Sequence, residues 1–151
     1  ILDAGFGNGR DSYHLSKSHN VIGIDMSTYL PKDGDNCKFI TADFCNYDKS
    51  RFDLIYSRFT FHAITNRDQS IFLKSIWKKN TFLCIEARSD LGKNQNRYFG
   101  DDHYRNFINK EGLKNALKEY GFQILYFKEG NDMAIYKDEN PICIRLICKK
   151  I

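Results

Sequence analysis

The sequence predicts a single α/β domain built on a doubly wound, mostly parallel sheet that ends in an antiparallel hairpin. The first 25 residues read as an apolar strand, a glycine turn, a helical stretch, a second apolar strand and an acid, which is typical of a parallel crossover. Further apolar runs alternate with helical patterns, and the last two follow each other without a helix between them. A length of 151 residues suits one domain with a substantial core.

Each element is predicted from its apolar pattern. Short apolar runs bounded by polar residues predict strands over 1–3, 20–25, 38–41, 52–57, 81–86, 122–129 and 133–150, the last interrupted at Asn140-Pro141. Amphipathic spacing predicts helices over 9–17, 66–79 and 110–120. In the second helix, Phe72 and Trp77 fall among the apolar residues of one face, so we expect Trp77 in the core. Residues 26–36 contain a proline and a glycine, so we expect a turn there rather than a full helix.

The first crossover differs from a dinucleotide-binding loop. Asp3 ends the first strand, glycines follow at positions 5, 7 and 9, and Asp25 ends the second strand. Dinucleotide folds place GxGxxG directly after the strand, so that pyrophosphate meets a helix N-terminus. An acid ahead of the glycines repels phosphate and suits a cationic or amine-bearing ligand. The spacing therefore disfavours an NAD-linked oxidoreductase and predicts a ligand site at the carboxyl ends of the strands.

This D-x-G-x-G-x-G pattern followed by Asp25 resembles motif I of the class I S-adenosylmethionine-dependent methyltransferases, which have a Rossmann-like fold. The resemblance implies S-adenosylmethionine as cofactor, with the glycine loop close to its methionine part and Asp25 on its ribose hydroxyls. It also implies that Asp43, after the third strand, reaches the adenine amino group and that Phe44 forms an adenine wall. The cofactor contacts implied in this way are Asp3, Gly5, Gly7, Gly9, Asp25, Met26, Asp43, Phe44 and Ser57.

Two of these acids have a structural alternative. Asp3 precedes a helix N-terminus, where the helix dipole favours a negative charge. Asp43 follows a strand, where aspartate is a common turn residue. With the glycines and Asp25 in register, we favour ligand binding for both.

The acceptor site is expected after the fourth and fifth strands, and it is rich in arginine. Arg58, Arg88 and Arg105 stand at predicted strand ends or in the connection that follows. Guanidinium groups bind carboxylate and phosphate bidentately, which would indicate an anionic acceptor. The alternative is that these arginines form ion pairs with acids of the chain. Acceptor contacts are assigned to Arg58, Glu86, Arg88, Tyr104 and Arg105, and the candidate pairing acids are Glu86, Asp90, Asp101 and Asp102.

Two histidines are candidates for catalysis. His62 lies in the loop after the fourth strand, where the resembling family often presents acceptor-site residues, and His103 lies beside two aspartates that could raise its pKa. A capping residue for the next helix and an exposed loop residue are the respective structural alternatives. A general base is needed only for an acceptor that is protonated at working pH.

Residues 87–109 form a long connection that is polar and aromatic, and we expect it to be a lid over the acceptor. The domain is expected to span residues 1–151. The resembling family usually has a helix before the first strand, and this sequence begins inside that strand. A non-catalytic or truncated S-adenosylmethionine-binding module is therefore the alternative to an enzyme.

The composition indicates which classes of partner the protein has. A net charge of +4 without a basic run or face gives no indication of nucleic acid, and no apolar run is long enough to cross a membrane. The five cysteines form no CxxC pair, which indicates free thiols in the cytoplasm rather than disulfides or a zinc site. The acceptor is therefore expected to be a small molecule. The C-terminal half resembles methyltransferases of bacterial surface-polysaccharide (capsule) synthesis, which implies a sugar or a phosphate-type substituent as acceptor.

Overall fold

The computed structural model describes residues 1–95 and 104–151. The strands are β1 (Leu2–Ala4), β2 (Val21–Asp25), β3 (Cys37–Thr41), β4 (Leu54–Arg58), β5 (Phe82–Arg88), β6 (Phe122–Gly130) and β7 (Cys143–Lys150). The helices are α1 (Arg10–Leu15), α2 (Asn66–Ser75) and α3 (Lys110–Glu119), with short 3₁₀ turns at Phe61–Ala63 and Asp90–Gln95.

The strands form one seven-stranded sheet in the order β3-β2-β1-β4-β5-β7-β6. The pairs from β3 to β5 are parallel, whereas β7 runs antiparallel to both β5 and β6. The fold predicted from the sequence, a mostly parallel α/β sheet with a C-terminal antiparallel hairpin, is confirmed. Strand order reverses between β1 and β4, and a ligand crevice forms outside the carboxyl ends of the strands at such a point.

The core divides between the two faces of the sheet. The main cluster contains Phe72 of α2 and Leu117 of α3, with Ile22 of β2 packed against it, and a smaller cluster joins Val21 to Phe39. Successive strand residues point to opposite faces, so Val21 and Ile22 place these clusters on opposite sides of the sheet. The sheet is therefore packed on both faces, and the loops at its carboxyl edge extend from buried strands.

The starts of α2 and α3 follow from capping side chains. The Thr65 hydroxyl accepts the backbone N–H of Asp68 at 3.1 Å to begin α2, and the Asn109 side chain accepts the N–H of Gly112 at 2.9 Å to begin α3. No helix occurs between β2 and β3, as predicted from the composition of residues 26–36. None of the helices in the described ranges is long and apolar enough to cross a membrane.

Two expectations about the elements are wrong. The last strand begins at Cys143 rather than at 133, because Pro141 has no N–H to donate and Lys137 adopts a positive φ of 53°. Trp77 is 65% exposed, because α2 ends at Ser75 and the chain leaves the helical face before the indole can pack against the sheet.

Candidate active site

A cavity of about 1000 Å³ opens at the carboxyl ends of β1, β2, β4 and β5. This volume lies at the top of the range of roughly 300–1,000 Å³ that is usual for small-molecule sites. At one end the cavity is lined by Asp3, the glycine loop, Asp25 and Phe44, and at the other by Phe59, His62, Arg88 and the β6–β7 loop. The structure thus brings candidate cofactor residues and candidate acceptor residues to the same space.

The glycine loop closes tightly over β1. The N–H of Gly5 donates to the carbonyl of Ile24 at 2.8 Å, and Gly5 has a φ of 86°. A Cβ at Gly5 would lie 2.2 Å from the Thr60 hydroxyl oxygen, so only glycine fits between β1 and the loop after β4. Gly7 also has a positive φ, but a Cβ there would meet no described atom within 4 Å, because it faces the open cavity. Gly9 caps α1 with a φ of 81° instead of lining the cavity.

Asp25 ties this loop to the next one. Its Oδ2 accepts the N–H of Gly7 at 3.0 Å, and its Oδ1 accepts the N–H of Ser27 at 2.9 Å. Each carboxylate oxygen has a second lone pair, so the group can still accept from two hydroxyls of a ligand. Met26 follows on the rim of the cavity, 65% exposed.

Asp3 is buried beneath the loop. Its Oδ2 accepts the Ser12 hydroxyl at 2.5 Å, and its side chain reaches the cavity wall. Burial raises the pKa of Asp3 to about 6, which the Ser12 hydrogen bond opposes and the neighbouring charges of Asp11 and Asp25 reinforce. Asp3 and Asp25 therefore bring two carboxyl groups to this end of the cavity, whereas the neighbouring Asp11 is paired with Arg58.

The turn after β3 separates two residues that the sequence paired. Phe44 lines the cavity, whereas Asp43 is exposed and does not line it among the described residues. The Asp43 carboxylate accepts the N–H of Cys45 at 2.8 Å and a hydrogen bond from the Asn46 amide, so it folds the turn. Ser57 lies within β4, away from the cavity lining, and its buried hydroxyl finds no partner among the described residues.

Arg58 is engaged by carboxylates of the chain. Its Nε donates to Oε1 of Glu86 at 2.8 Å, and its terminal nitrogen approaches Oδ2 of Asp11 at 3.1 Å. Arg145 of β7 donates to the other oxygen of Glu86 at 2.6 Å. Glu86 is thus the centre of an ion-pair network across three strands. Arg58 and Glu86 therefore form the ion pair that was the alternative to acceptor contacts in the sequence analysis.

Arg88 is paired as well, but at the far end of the cavity. Its side chain is 6% exposed and lies 2.7 Å from Oε1 of Glu139 in the β6–β7 loop. The centroid of the Phe59 ring lies 5.4 Å from Cζ of Arg58 and 5.7 Å from Cζ of Arg88. Arg105 lines the same end of the cavity, and burial with the nearby charge of Arg88 lowers its pKa.

His62 is buried beside this cluster with a fixed hydrogen-bonding pattern. Its Nδ1 accepts the backbone N–H of Arg88 at 3.1 Å. Burial, and then the charges of Arg88 and Arg105, lower its pKa to about 3, so the imidazole is neutral at ordinary pH. A neutral ring that accepts through Nδ1 carries its proton on Nε2. His62 can therefore offer an N–H donor to a ligand in the cavity.

Several lining residues were not predicted. They belong to the β6–β7 loop and include Ala134, Ile135, Tyr136, Glu139 and Pro141. The sequence signal was the break at Asn140-Pro141, which marks a loop but does not say what the loop covers. Tyr104, a predicted acceptor contact, is 58% exposed and does not line the cavity within the described ranges. His103 lies outside the described residues.

No group of three or more potential metal ligands occurs within residues 1–95 and 104–151. The lid predicted over residues 87–109 begins as sheet: Ala87 and Arg88 are the last residues of β5, and Ile108 returns beside Ser89. The middle of that segment, residues 96–103, is not described.

Comparison with known proteins gives a family and a fold. Residues 1–79 match the family model of a methyltransferase domain. A SAM-dependent methyltransferase from Methanosarcina mazei superposes with a TM-score of 0.80 at 18% identity, over 100% of this chain and 92% of that one. A SAM-dependent methyltransferase described as putative, from Listeria monocytogenes, gives 0.76 at 14% identity, over 99% and 90% of the two chains.

A third neighbour was solved with ligands. The 1,6-didemethyltoxoflavin-N1-methyltransferase of Burkholderia thailandensis, with bound 1,6-didemethyltoxoflavin and S-adenosylhomocysteine, gives a TM-score of 0.73 at 19% identity, over 99% of this chain and 69% of that one. At such identities the likeness extends to the fold alone. No curated protein matches the chain.

Proposed function

The chain belongs to the methyltransferase domain family, and from that premise we propose that it transfers a methyl group from S-adenosylmethionine to a small-molecule acceptor. The observation that carries this proposal is the polarity of the cavity. One end holds Asp3, Asp25 and a glycine loop, and the other holds a neutral histidine among arginines. A cationic cofactor suits the first end, and an electron-rich acceptor suits the second.

The residues present fit S-adenosylmethionine. Asp25 has lone pairs left for the ribose hydroxyls, Gly7 leaves room for the methionine part, and Phe44 offers an apolar wall to the base. When bound, this cofactor supplies a methyl group already activated by a sulfonium. The protein therefore mainly has to orient the acceptor and exclude water.

We propose that the acceptor presents an anionic oxygen. Support comes from Arg88 and Arg105, which line the cavity with His62; burial first, and then their positive charges, lower the pKa of the imidazole. His62 contributes as a hydrogen-bond donor through Nε2, since a base whose conjugate acid has a pKa of about 3 accepts a proton poorly at neutral pH. Both Arg58 and Arg88 are also engaged by acids of the chain, Arg58 by Glu86 and Asp11 and Arg88 by Glu139, so an anionic acceptor would compete with these pairs.

The narrower class, a sugar or a phosphate-type capsule substituent, rests on the resemblance of the C-terminal half alone. The β6–β7 loop adds Ile135 and Tyr136 to the cavity, both 63% exposed, so the acceptor also meets apolar surface. All five cysteines are free thiols, which supports a cytoplasmic location as part of the proposal.

Calorimetry with S-adenosylmethionine, S-adenosylhomocysteine and NAD tests the cofactor. We expect the first two to bind and NAD to show no heat of binding; tighter binding of NAD would overturn the assignment. Mass spectrometry of small carboxylates, phosphates and sugars incubated with the protein and cofactor then tests the transfer. A gain of one methyl on an anionic compound supports the proposal. Cofactor binding without transfer to any compound tried favours the non-catalytic binding module.

A further inference from the structure

A buried lysine holds the turn between β3 and β4. Lys49 is 1% exposed. Its Nζ donates to the backbone carbonyls of Phe44, Cys45 and Tyr47, at 2.6, 3.2 and 3.1 Å. An ammonium has three N–H donors, so this turn uses every one of them.

The ammonium has no salt bridge with a carboxylate among the described residues. Burial lowers the pKa of Lys49 to about 8, against the opposing influence of Cys45, Asp43 and Asp48 in its own turn. On α2, the centroid of the Phe72 ring lies 5.0 Å from Nζ of Lys49. Burial, and then the charges of Asp43 and of Asp68 on α2, raise the pKa of the neighbouring Cys45 thiol. A lysine buried in this way costs free energy unless its donors are satisfied, so its hydrogen bonds constrain the carbonyls that satisfy it.

One of those carbonyls belongs to the wall of the cofactor end. Phe44 lines the cavity, and its ring packs edge-on against Phe72, with 5.9 Å between the ring centroids. Lys49 therefore contacts Phe44 directly, through the Phe44 carbonyl, and also contacts the Phe72 ring against which the Phe44 ring packs. The carboxylate of Asp43 folds the same turn from its outer side.

We propose that Lys49 is a positioning residue for the cofactor, which sets the Phe44 ring as the wall against the nucleobase while touching no ligand itself. This inference rests on the proposed function, because it requires a nucleoside at the Phe44 end of the cavity. Part of the affinity for the cofactor would then depend on a side chain that lies wholly outside the glycine motif.

Binding of S-adenosylhomocysteine, measured by calorimetry at pH 7, tests the proposal with four variants. Lys49→Met keeps the length of the side chain and removes the donors, and Phe44→Ala removes the wall. We expect each to weaken binding about tenfold, and the double variant to bind no worse than Phe44→Ala alone, because coupled residues are not additive. Lys38→Met, at an exposed lysine of β3, is the matched control and should bind as the wild type does.

Amide hydrogen exchange of residues 44–47 provides the second readout, and Lys49→Gln, which keeps a donor, is used if Lys49→Met does not fold. Faster exchange confined to this turn, with an affinity below that of the wild type and no lower than that of Phe44→Ala, supports the positioning role. Unchanged affinity in a folded Lys49 variant, or losses that add to those of Phe44→Ala, overturns it. If the wild type itself does not bind S-adenosylhomocysteine, the proposed function fails instead.

Discussion

Arg58 and Glu86 are direct neighbours across the parallel pair of β4 and β5, and their side chains form an ion pair with an N–O distance of 2.8 Å. Arg145 is the partner of Glu86 in the antiparallel register of β5 and β7. Glu86 thus joins a parallel pair to an antiparallel pair at the edge where the cavity opens. Arg58, which the sequence predicted as an acceptor contact, lines the cavity and is also part of this ion-pair network.

Replacing Glu86 should destabilise the protein. Glu86→Gln removes the charge that two guanidinium groups share, and we expect the free energy of unfolding to fall by about 1.5–3 kcal/mol. Urea denaturation measures the effect, with Asp53→Asn as control because the Asp53–Lys78 pair is exposed. Equal stability of the Glu86 variant and the control would mean that the network contributes nothing measurable.

Asp25 should contribute to cofactor affinity. Asp25→Ala removes the acceptor of the Gly7 and Ser27 N–H groups as well as the oxygens proposed for the ribose, and we expect about 1.5–3 kcal/mol weaker binding of S-adenosylmethionine. Asp35→Ala is the control for calorimetry, because Asp35 is an exposed acid in the loop before β3. Unchanged affinity of the Asp25 variant would contradict the cofactor assignment.

The two glycines at positions 5 and 7 should respond differently to alanine. Gly7→Ala places its Cβ in open space, so only the strain of a positive φ remains, about 1–2 kcal/mol. Gly5→Ala adds a clash with Thr60 and should destabilise more. Thermal unfolding of both variants checks the order. A Gly7 variant less stable than the Gly5 variant would contradict the loop geometry.

Asp3 should make stability and cofactor binding depend on pH in opposite ways. Its pKa rises to about 6 on folding, so the folded state holds the proton more tightly and stability falls as pH rises from about 4 to 6, by about 2–3 kcal/mol. Binding of a cation instead needs the ionised carboxylate, so affinity should fall as pH drops below about 6.

Asp3→Asn separates these two effects of pH. In the variant, the part of the pH dependence that comes from Asp3 should be absent from both measurements. At pH 7.5 the variant should be more stable than the wild type but bind S-adenosylmethionine less tightly. Parallel urea denaturation and calorimetry from pH 5 to 8 provide the comparison. The same pH dependence in variant and wild type would place the titrating group elsewhere.

His62 should remain neutral across the working range. Because its pKa is lowered to about 3, its ring resonances in NMR spectra should not shift with pH between 5 and 8. The exposed His14 is the internal control in the same spectra. A shift of His62 within that range would restore it as a candidate base. Once an acceptor is known, His62→Gln, which keeps a donor, should retain more activity than His62→Phe.

The sequence by itself determined the order of the elements, and it grouped Asp3, Gly5, Gly7 and Asp25, which line one cavity in the structure. The alternation of apolar runs and helical patterns predicted the parallel sheet and the hairpin, because burial of apolar side chains is periodic along a chain. Asp3, Gly5, Gly7 and Asp25 could be grouped from the sequence because they lie within one continuous crossover. In such a unit, sequence spacing is also spatial spacing.

The tertiary structure alone decided the contacts at the other end of the cavity, near His62 and Arg88. Arg58 meets Glu86, Arg88 meets Glu139 and His62 meets the backbone of Arg88, and each of these contacts joins segments far apart in sequence. A charge pattern on one segment does not reveal which distant carboxylate will neutralise it. For the same reason the sequence did not single out Lys49, which is buried beside Phe72 of another element. Local patterns specify helices, strands and turns, whereas burial and pairing depend on which strands the sheet places side by side.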